Sequence, residues 1–414
     1  MSADDVRTAG RRAAPGDESA LLADRPTAER GMLRTRGAIL AVAGLGASAA
    51  GYFMLGSAAF LQSYLIAYIF WIGITVGSLA LLMVQYLSGG AWGLVGRRIF
   101  EASTRNLPLM AVLFLPIAFN LPVLYEWARP EAAANHHIHD KAGYLNAPFF
   151  YIRAAGYFVV WMGLAFFLNR WSRQQDLSAP RLPGPMDGRM RMLSGPGVVL
   201  YMITLTFMSV DWIMSLEPTF TSTIFGILTL GGQGLATLAF TILMLALLSR
   251  ARPLSEVTEP DHFHDYGKLM LAFTMLWAYF QVSQLIIIWS ANLPEEIPWY
   301  IERLNGPWAP VSVLVLLGHF VLPFALLLSR SWKRQARALS RIAFWVLLMR
   351  VVDLVWTIGP VFRHDGHTVS WLDFAVVMGM GGVWLVVFAM NLGARALVPA
   401  HDPYFKDALA HGTH

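Results

Sequence analysis

No cysteine occurs among the 414 residues. That absence excludes disulfides, cysteine-ligated iron–sulfur clusters and thioether-attached haem. Charge is scarce too, at 14% of the chain against about 25% in an ordinary soluble domain. Histidine is nearly missing from the apolar runs. Of eleven, only His319 falls inside one, whereas a membrane dihaem cytochrome needs facing pairs at depth. Residues 1–36 are polar and Arg-rich, with no apolar core of signal-peptide type, and read as a disordered or partner-docking tail.

What is there is apolar. Hydrophobic residues make up 56% of the chain, and the mean hydropathy is +0.51. Long apolar runs recur from end to end, which indicates a polytopic membrane protein. In lipid every backbone polar group must be satisfied internally, which leaves helices or a closed barrel. The runs are continuous rather than alternating, so the expected fold class is all-α integral membrane. Ten spans are predicted, at 37–56, 62–88, 107–126, 148–169, 196–216, 221–249, 267–290, 308–329, 340–359 and 371–395. The membrane domain is then 37–396, with a C-terminal tail at 397–414.

An even number of spans puts both termini on one side. The tails and alternate loops carry most of the 31 Lys and Arg, including Arg97, Arg98, Arg170, Arg173, Arg330, Lys333 and Arg334. The opposite loops and helix ends carry Arg129, Lys141, Arg153, Arg303 and Arg363. The positive-inside rule makes both termini cytoplasmic. The basic pI of about 9.5 follows from this topology and does not call for nucleic acid.

Two motif pairs suggest a duplication. SVDWIMSLEP ends the fifth span and VVDLVWTIGP the ninth, so Asp211 precedes Pro218 as Asp353 precedes Pro360. YLNAPF and RLNGPW open the fourth and eighth, aligning Asn146 with Asn305 and Pro148 with Pro307. Spans 2–5 and 6–9 are therefore expected to form two four-helix bundles related by a parallel repeat, with two peripheral helices. The simpler reading is that Pro and Asn favour helix ends.

An ionisable group inside a span is costly and is a functional hypothesis by default. Asp211 is expected about 8 Å below the outer boundary, five residues from its helix tip. Asp353 lies at similar depth. Arg350 precedes it by three residues, so the two share a helix face and can pair. They form either a structural clamp or part of a proton or quinone-headgroup path. His319 is either a packed, hydrogen-bonded residue or a member of that path. Arg153, Glu126, Gln233 and Gln281 complete the candidates, with Asn120, Gln284 and Asn391 as uncharged helpers. GGQG at 231–234 suits close packing or water entry. The outer NHHIHD cluster, with His136, His137, His139 and Asp140, has donors for a metal but suits a solvated or partner-contacting loop better. The inner pair His262 and His264 points to a metal still less.

KAGYLNAPFFYIRAAGYF, SVDWIMSLEPTFTSTIFG, MLWAYFQVSQLIIIWSANLPEEIPWY and LLLSRSWKR resemble the NrfD-like membrane subunits of alternative complex III, a quinol:cytochrome c oxidoreductase. The likeness runs from about residue 37 to 400. The length suits the smaller of the two paralogous NrfD-like subunits. The resemblance implies ten helices and no haem or cluster in this chain, with quinol or menaquinol as the diffusible substrate. It implies an iron–sulfur subunit of molybdopterin-enzyme-like fold, multihaem and monohaem cytochromes c, the paralogous subunit and small membrane subunits as partners. It implies a proton-carrying or headgroup-holding role for Asp211, with Arg350 and Asp353 in the matching motif. The chain would not be catalytic alone. A secondary transporter with the same Asp, Arg and His as ion or substrate ligands, and a structural anchor whose charges hold partners, are the competing readings.

Overall fold

The computed structural model describes residues 27–399 apart from 135, 178–184 and 365. Most of the expected N-terminal tail, at 1–26, and residues 400–414 lie outside the described residues. Among the described residues the chain is all-helical. Eight of their helices are long and apolar enough to cross a membrane, or nine if one bent pair counts as a single crossing.

The first helix, α1 (Thr27–Ser88), begins ten residues before the apolar run, so residues 27–36 are helical rather than tail. A straight helix of its 62 residues would run about 93 Å, three times the hydrocarbon core of a bilayer. It breaks at Gly56, whose φ of 89° and ψ of 166° belong to a region that only glycine enters readily. Contacts with α10 (Trp371–Leu392) show what the break does. Gly37, Gly44 and Gly51 lie against Gly382, Gly379 and Leu372, whereas Ser63, Trp71 and Thr75 meet Asp373, Val377 and Trp384. Position on α10 falls along the first arm and rises along the second. The chain therefore reverses at Gly56, and α10 packs against both arms. A Cβ on Gly44 would lie 2.2 Å from the Gly379 backbone nitrogen, so these helices meet backbone to backbone. Such small-residue seams hold helices together in lipid, where hydrophobic drive between them is absent.

The bent pair is α2 (Ala91–Thr104) and α3 (Leu107–Phe119), inclined by 43°. The span expected at 107–126 stops at Phe119, where Asn120 leaves helical geometry and gives its Nδ2 proton to the Pro116 carbonyl. The segment carrying Arg97 and Arg98, expected as a solvated loop, is helical and buried.

The remaining long helices are α4 (Ala147–Leu177), α5 (Pro185–Trp212), α6 (Phe225–Leu248), α7 (Pro260–Ala291), α8 (Gly306–Leu328) and α9 (Ala336–Ile358). α6 is central, packed against α1, α5, α7 and α9. Its Gly, Ala and Thr residues permit that crowding. α4, α7 and α8 turn Ile152, Val159, Val282, Trp289 and Leu316 outward, as helices bordering lipid do. The backbone within α8 widens to a π-helix over Val315–Val321. Such widened turns often mark functional positions.

Candidate functional site

Two buried carboxylates stand near one end of the helices, which we call the far face because the described chain ends, Arg30 and Gly393, meet at the other. α5 delivers the first. It ends at Trp212, immediately after Asp211, and continues as a 3-10 turn over Met214–Leu216. Asp211 thus lies in the last turn of the regular α-helix, five residues before the Leu216 end of the span, and is fully buried. Burial is made tolerable by Arg153 of α4. Its Nε and Nη2 donate to Oδ2 and Oδ1 of Asp211, each at 2.9 Å, a bidentate pairing. The Tyr157 hydroxyl donates to Oδ2 at 2.5 Å. The guanidinium gives a further proton to the Tyr144 carbonyl and lies 3.9 Å over the Tyr144 ring. Arg153 and Tyr157 are four residues apart, so one face of α4 supplies both donors. Every polar atom of the Asp211 carboxylate is satisfied.

The second carboxylate is different. Arg350 Nη1 donates to Asp353 Oδ2 from the same helix, α9. Asp353 Oδ1 has no hydrogen-bond partner. Arg350 is pressed against α6, where a Cβ on Gly232 would come within 2.3 Å of its Cζ. His319, in the π-helical turn of α8, is fully buried with no side-chain hydrogen-bond partner among the described residues, and the Met349 backbone lies within reach of its ring. Its ring lies 4.5 Å from that of Trp277, and it is within electrostatic reach of both Asp353 and Arg350. By helix rise, Arg350 and His319 are roughly 12 and 20 Å from their far-face helix ends, on either side of mid-bilayer.

The other predicted residues divide. Gln233 follows Gly232 in the chain but turns its side chain to Gly73 of α1 and Tyr201 of α5. It accepts from the Tyr201 hydroxyl at 3.2 Å and leaves its Nε2 without a partner. Gln284 accepts from Ser222 at 2.5 Å, with its own amide nitrogen unpartnered. Gln281 is half-buried and joins neither centre. Glu126 is exposed in a short far-face 3-10 helix, so it is not an intramembrane group. Asn391 donates to Asn106 at the opposite face. Among the described residues no three metal-ligating side chains come together. His136 pairs with Asp140 at 3.2 Å on the surface, and His262 accepts from the Glu259 backbone N–H as a helix cap. The side chain of His137 is not among those described.

Several partners escaped the sequence reading. Tyr157 was legible in principle from its spacing to Arg153. Arg303 was not. Fully buried, it pairs with Glu217 at 2.8 Å, donates to the Thr357 carbonyl and stacks 3.8 Å over Trp299. Burial pushes the Glu217 carboxyl above its ordinary range, and Arg303 pulls back only partly. The same burial lowers the Arg303 guanidinium. Arg363 similarly grips Asp373 with two bonds of 2.8 and 2.6 Å, and Ser63 completes that carboxylate.

The duplicated motifs reappear as matching local bonds. Ser215 donates to the Asp211 carbonyl at 2.6 Å, and Thr357, at the same offset, to that of Asp353 at 2.8 Å. No protein-family model matches the chain, and no curated protein matches it.

Proposed function

We propose that the chain is a membrane subunit of a quinol-oxidising electron-transfer complex of the NrfD-like kind, and that Asp353, Arg350 and His319 form its working polar centre. The observation that carries the reading is the pair of unpartnered groups at that centre. An unsatisfied buried polar group costs about 1–3 kcal/mol. A purely structural clamp has no need to leave a buried imidazole nitrogen and a carboxylate oxygen unbonded. They suit a site that receives a proton, a water or a quinol hydroxyl in turnover. Asp211 is then the structural member of the pair.

On this reading the α1 reversal and the bent pair bring the crossings to ten, as two four-helix units plus two peripheral helices. Both termini face the cytoplasm of a bacterium, and the far face is periplasmic. Quinol gives up two electrons to the iron–sulfur and cytochrome c partners, and its two protons leave through His319 and Asp353. A cavity of about 380 Å³ opens on that face between Lys141, Tyr144, Met214 and Phe220. Tyr144, which lines it, stacks on the Arg153 guanidinium, which suits a headgroup site.

The π-helical turn around His319 favours a second reading, a secondary transporter that holds an ion at the same centre. Extraction in mild detergent, with mass spectrometry and an absorption spectrum, separates the two. Co-purifying haem protein and a large iron–sulfur subunit are expected. A solitary, colourless protein rejects the complex and favours the transporter.

A further inference from the structure

The opposite face carries a second built site, independent of the proposed function. Six arginines gather there. Arg97 and Arg98 of α2 are buried around Glu101, with Arg98 also on Asp176. Arg395 reaches Glu101 at 3.2 Å and the Asn169 carbonyl at 2.7 Å. Arg105 donates to the Asn391 carbonyl. Arg170 and Arg173, on the last turns of α4, are exposed and have no acidic partner among the described residues. Two carboxylates thus face six guanidiniums, leaving four positive charges in the cluster.

Arg105, Arg170, Arg173 and Arg395 line one cavity of about 890 Å³. Its other wall is apolar, formed by Leu107, Pro108, Met162 and Phe166. The position matters as much as the charge. The cavity lies at the break between α2 and α3 and just beyond the end of α10, which is the level of a membrane–water boundary. Phe166 is exposed beside it, below Arg170, on the lipid-bordering side of α4. Guanidiniums at headgroup level above an apolar wall match one class of ligand, a phosphate carrying acyl chains.

We infer that this cavity binds the headgroup of an anionic phospholipid, with phosphate oxygens on Arg170 and Arg173 and an acyl chain along Met162 and Phe166. Arg105 and Arg395, held by backbone carbonyls and Glu101, shape the cavity. A free phosphate offers the same oxygens without the chains.

The test uses the full chain with its co-purifying subunits, delipidated in mild detergent. Binding of phosphatidylglycerol, phosphatidylcholine and inorganic phosphate is measured by native mass spectrometry and thermal shift. The variants are Arg170→Gln/Arg173→Gln, the charge-retaining Arg170→Lys/Arg173→Lys, and a control, Arg337→Gln/Arg341→Gln, on exposed arginines of α9. Neither Arg170 nor Arg173 holds an ion pair among the described residues, so an unchanged lipid-free melting temperature is expected. Phosphatidylglycerol should bind in preference to phosphatidylcholine. The Gln pair should weaken it about 30-fold, from the usual contribution of each basic residue, with the Lys pair and the control near wild type. Equal lipid binding by wild type and the Gln pair, or no preference between the lipids, overturns the proposal. Stabilisation by inorganic phosphate equal to that by the lipid also overturns it, in favour of a free-anion site.

Discussion

The two far-face carboxylates stand at the same place in two similar stretches, SVDWIMSLEP and VVDLVWTIGP, and occupy opposite chemical situations. Seven residues after Asn146 the first half has Arg153, which crosses to Asp211 and grips both oxygens. Seven residues after Asn305 the second half has Ser312, too short to reach, which instead accepts from Trp356 at 2.7 Å. Asp353 must therefore take its cation from Arg350 on its own helix, and one oxygen is left over. The cross-helix pair resembles the Arg363–Asp373 and Arg303–Glu217 pairs, in which a guanidinium ties distant segments together. The same-helix pair ties nothing together. Arg153 in one place and Ser312 in the other thus separate a clamp from a centre with unfilled hydrogen-bonding capacity.

The largest effect should come from breaking the clamp. Arg153→Gln leaves Asp211 buried and uncompensated, and should cost about 3–5 kcal/mol of stability, read by denaturation in detergent. Wild-type stability in that variant would refute the clamp. The second centre divides. His319→Gln should keep stability within about 1 kcal/mol, whereas Asp353→Asn leaves Arg350 buried without its ion-pair partner and should cost about 3–5 kcal/mol. Each should slow quinol-driven proton release by the complex about 100-fold. If Asp211→Asn alone abolished proton release while Asp353→Asn did not, the assignment of roles would be reversed.

A smaller effect tests the contact between the centre and α6. Gly232→Ala forces the Arg350 guanidinium aside and should cost about 1–3 kcal/mol, the worth of a charge-assisted hydrogen bond plus overpacking. In an Arg350→Ala background most of that cost should vanish. Additive losses would mean that Gly232 matters for another reason.

The smallest effect is a pH dependence confined to the Arg303 pair. Burial raises Glu217, so the folded protein holds that proton more tightly than the unfolded chain. The associated stability is complete below the ordinary carboxylate pKa of 4.5 and is lost as pH rises through the higher folded value. Melting curves between pH 4 and 7 should therefore fall less steeply with pH in Glu217→Gln than in wild type. Identical slopes would contradict the direction of the shift.

Much of this architecture was legible in one dimension. Apolar runs placed the helices because lipid forces each segment to satisfy its own backbone. The break between residues 56 and 62 was visible as an interruption in the pattern, and Gly56 supplies the turn. Arg350–Asp353 was legible because a spacing of three is a contact on any helix. Asp211 is the instructive failure. It showed no in-helix partner, and its partner lies 58 positions away, at a distance no periodicity reports. Arg97 and Arg98 looked like the solvated charges of an inner loop. Their burial depends on Glu101, Ser172 and Gln175 arriving from two helices. Glu126 failed oppositely, because the span expected to hold it ended seven residues earlier, at Phe119.

The sequence by itself determined a helical membrane protein, the approximate place of its spans and two Asp-bearing helix ends, since these depend on local hydrophobicity and helical period. Only the tertiary structure decided which carboxylate is neutralised by a neighbouring helix and which keeps an open oxygen. That choice depends on which side chains the packed helices bring within about 3 Å, and hydrogen bonding at that range is set by helix position and rotation rather than by separation along the chain.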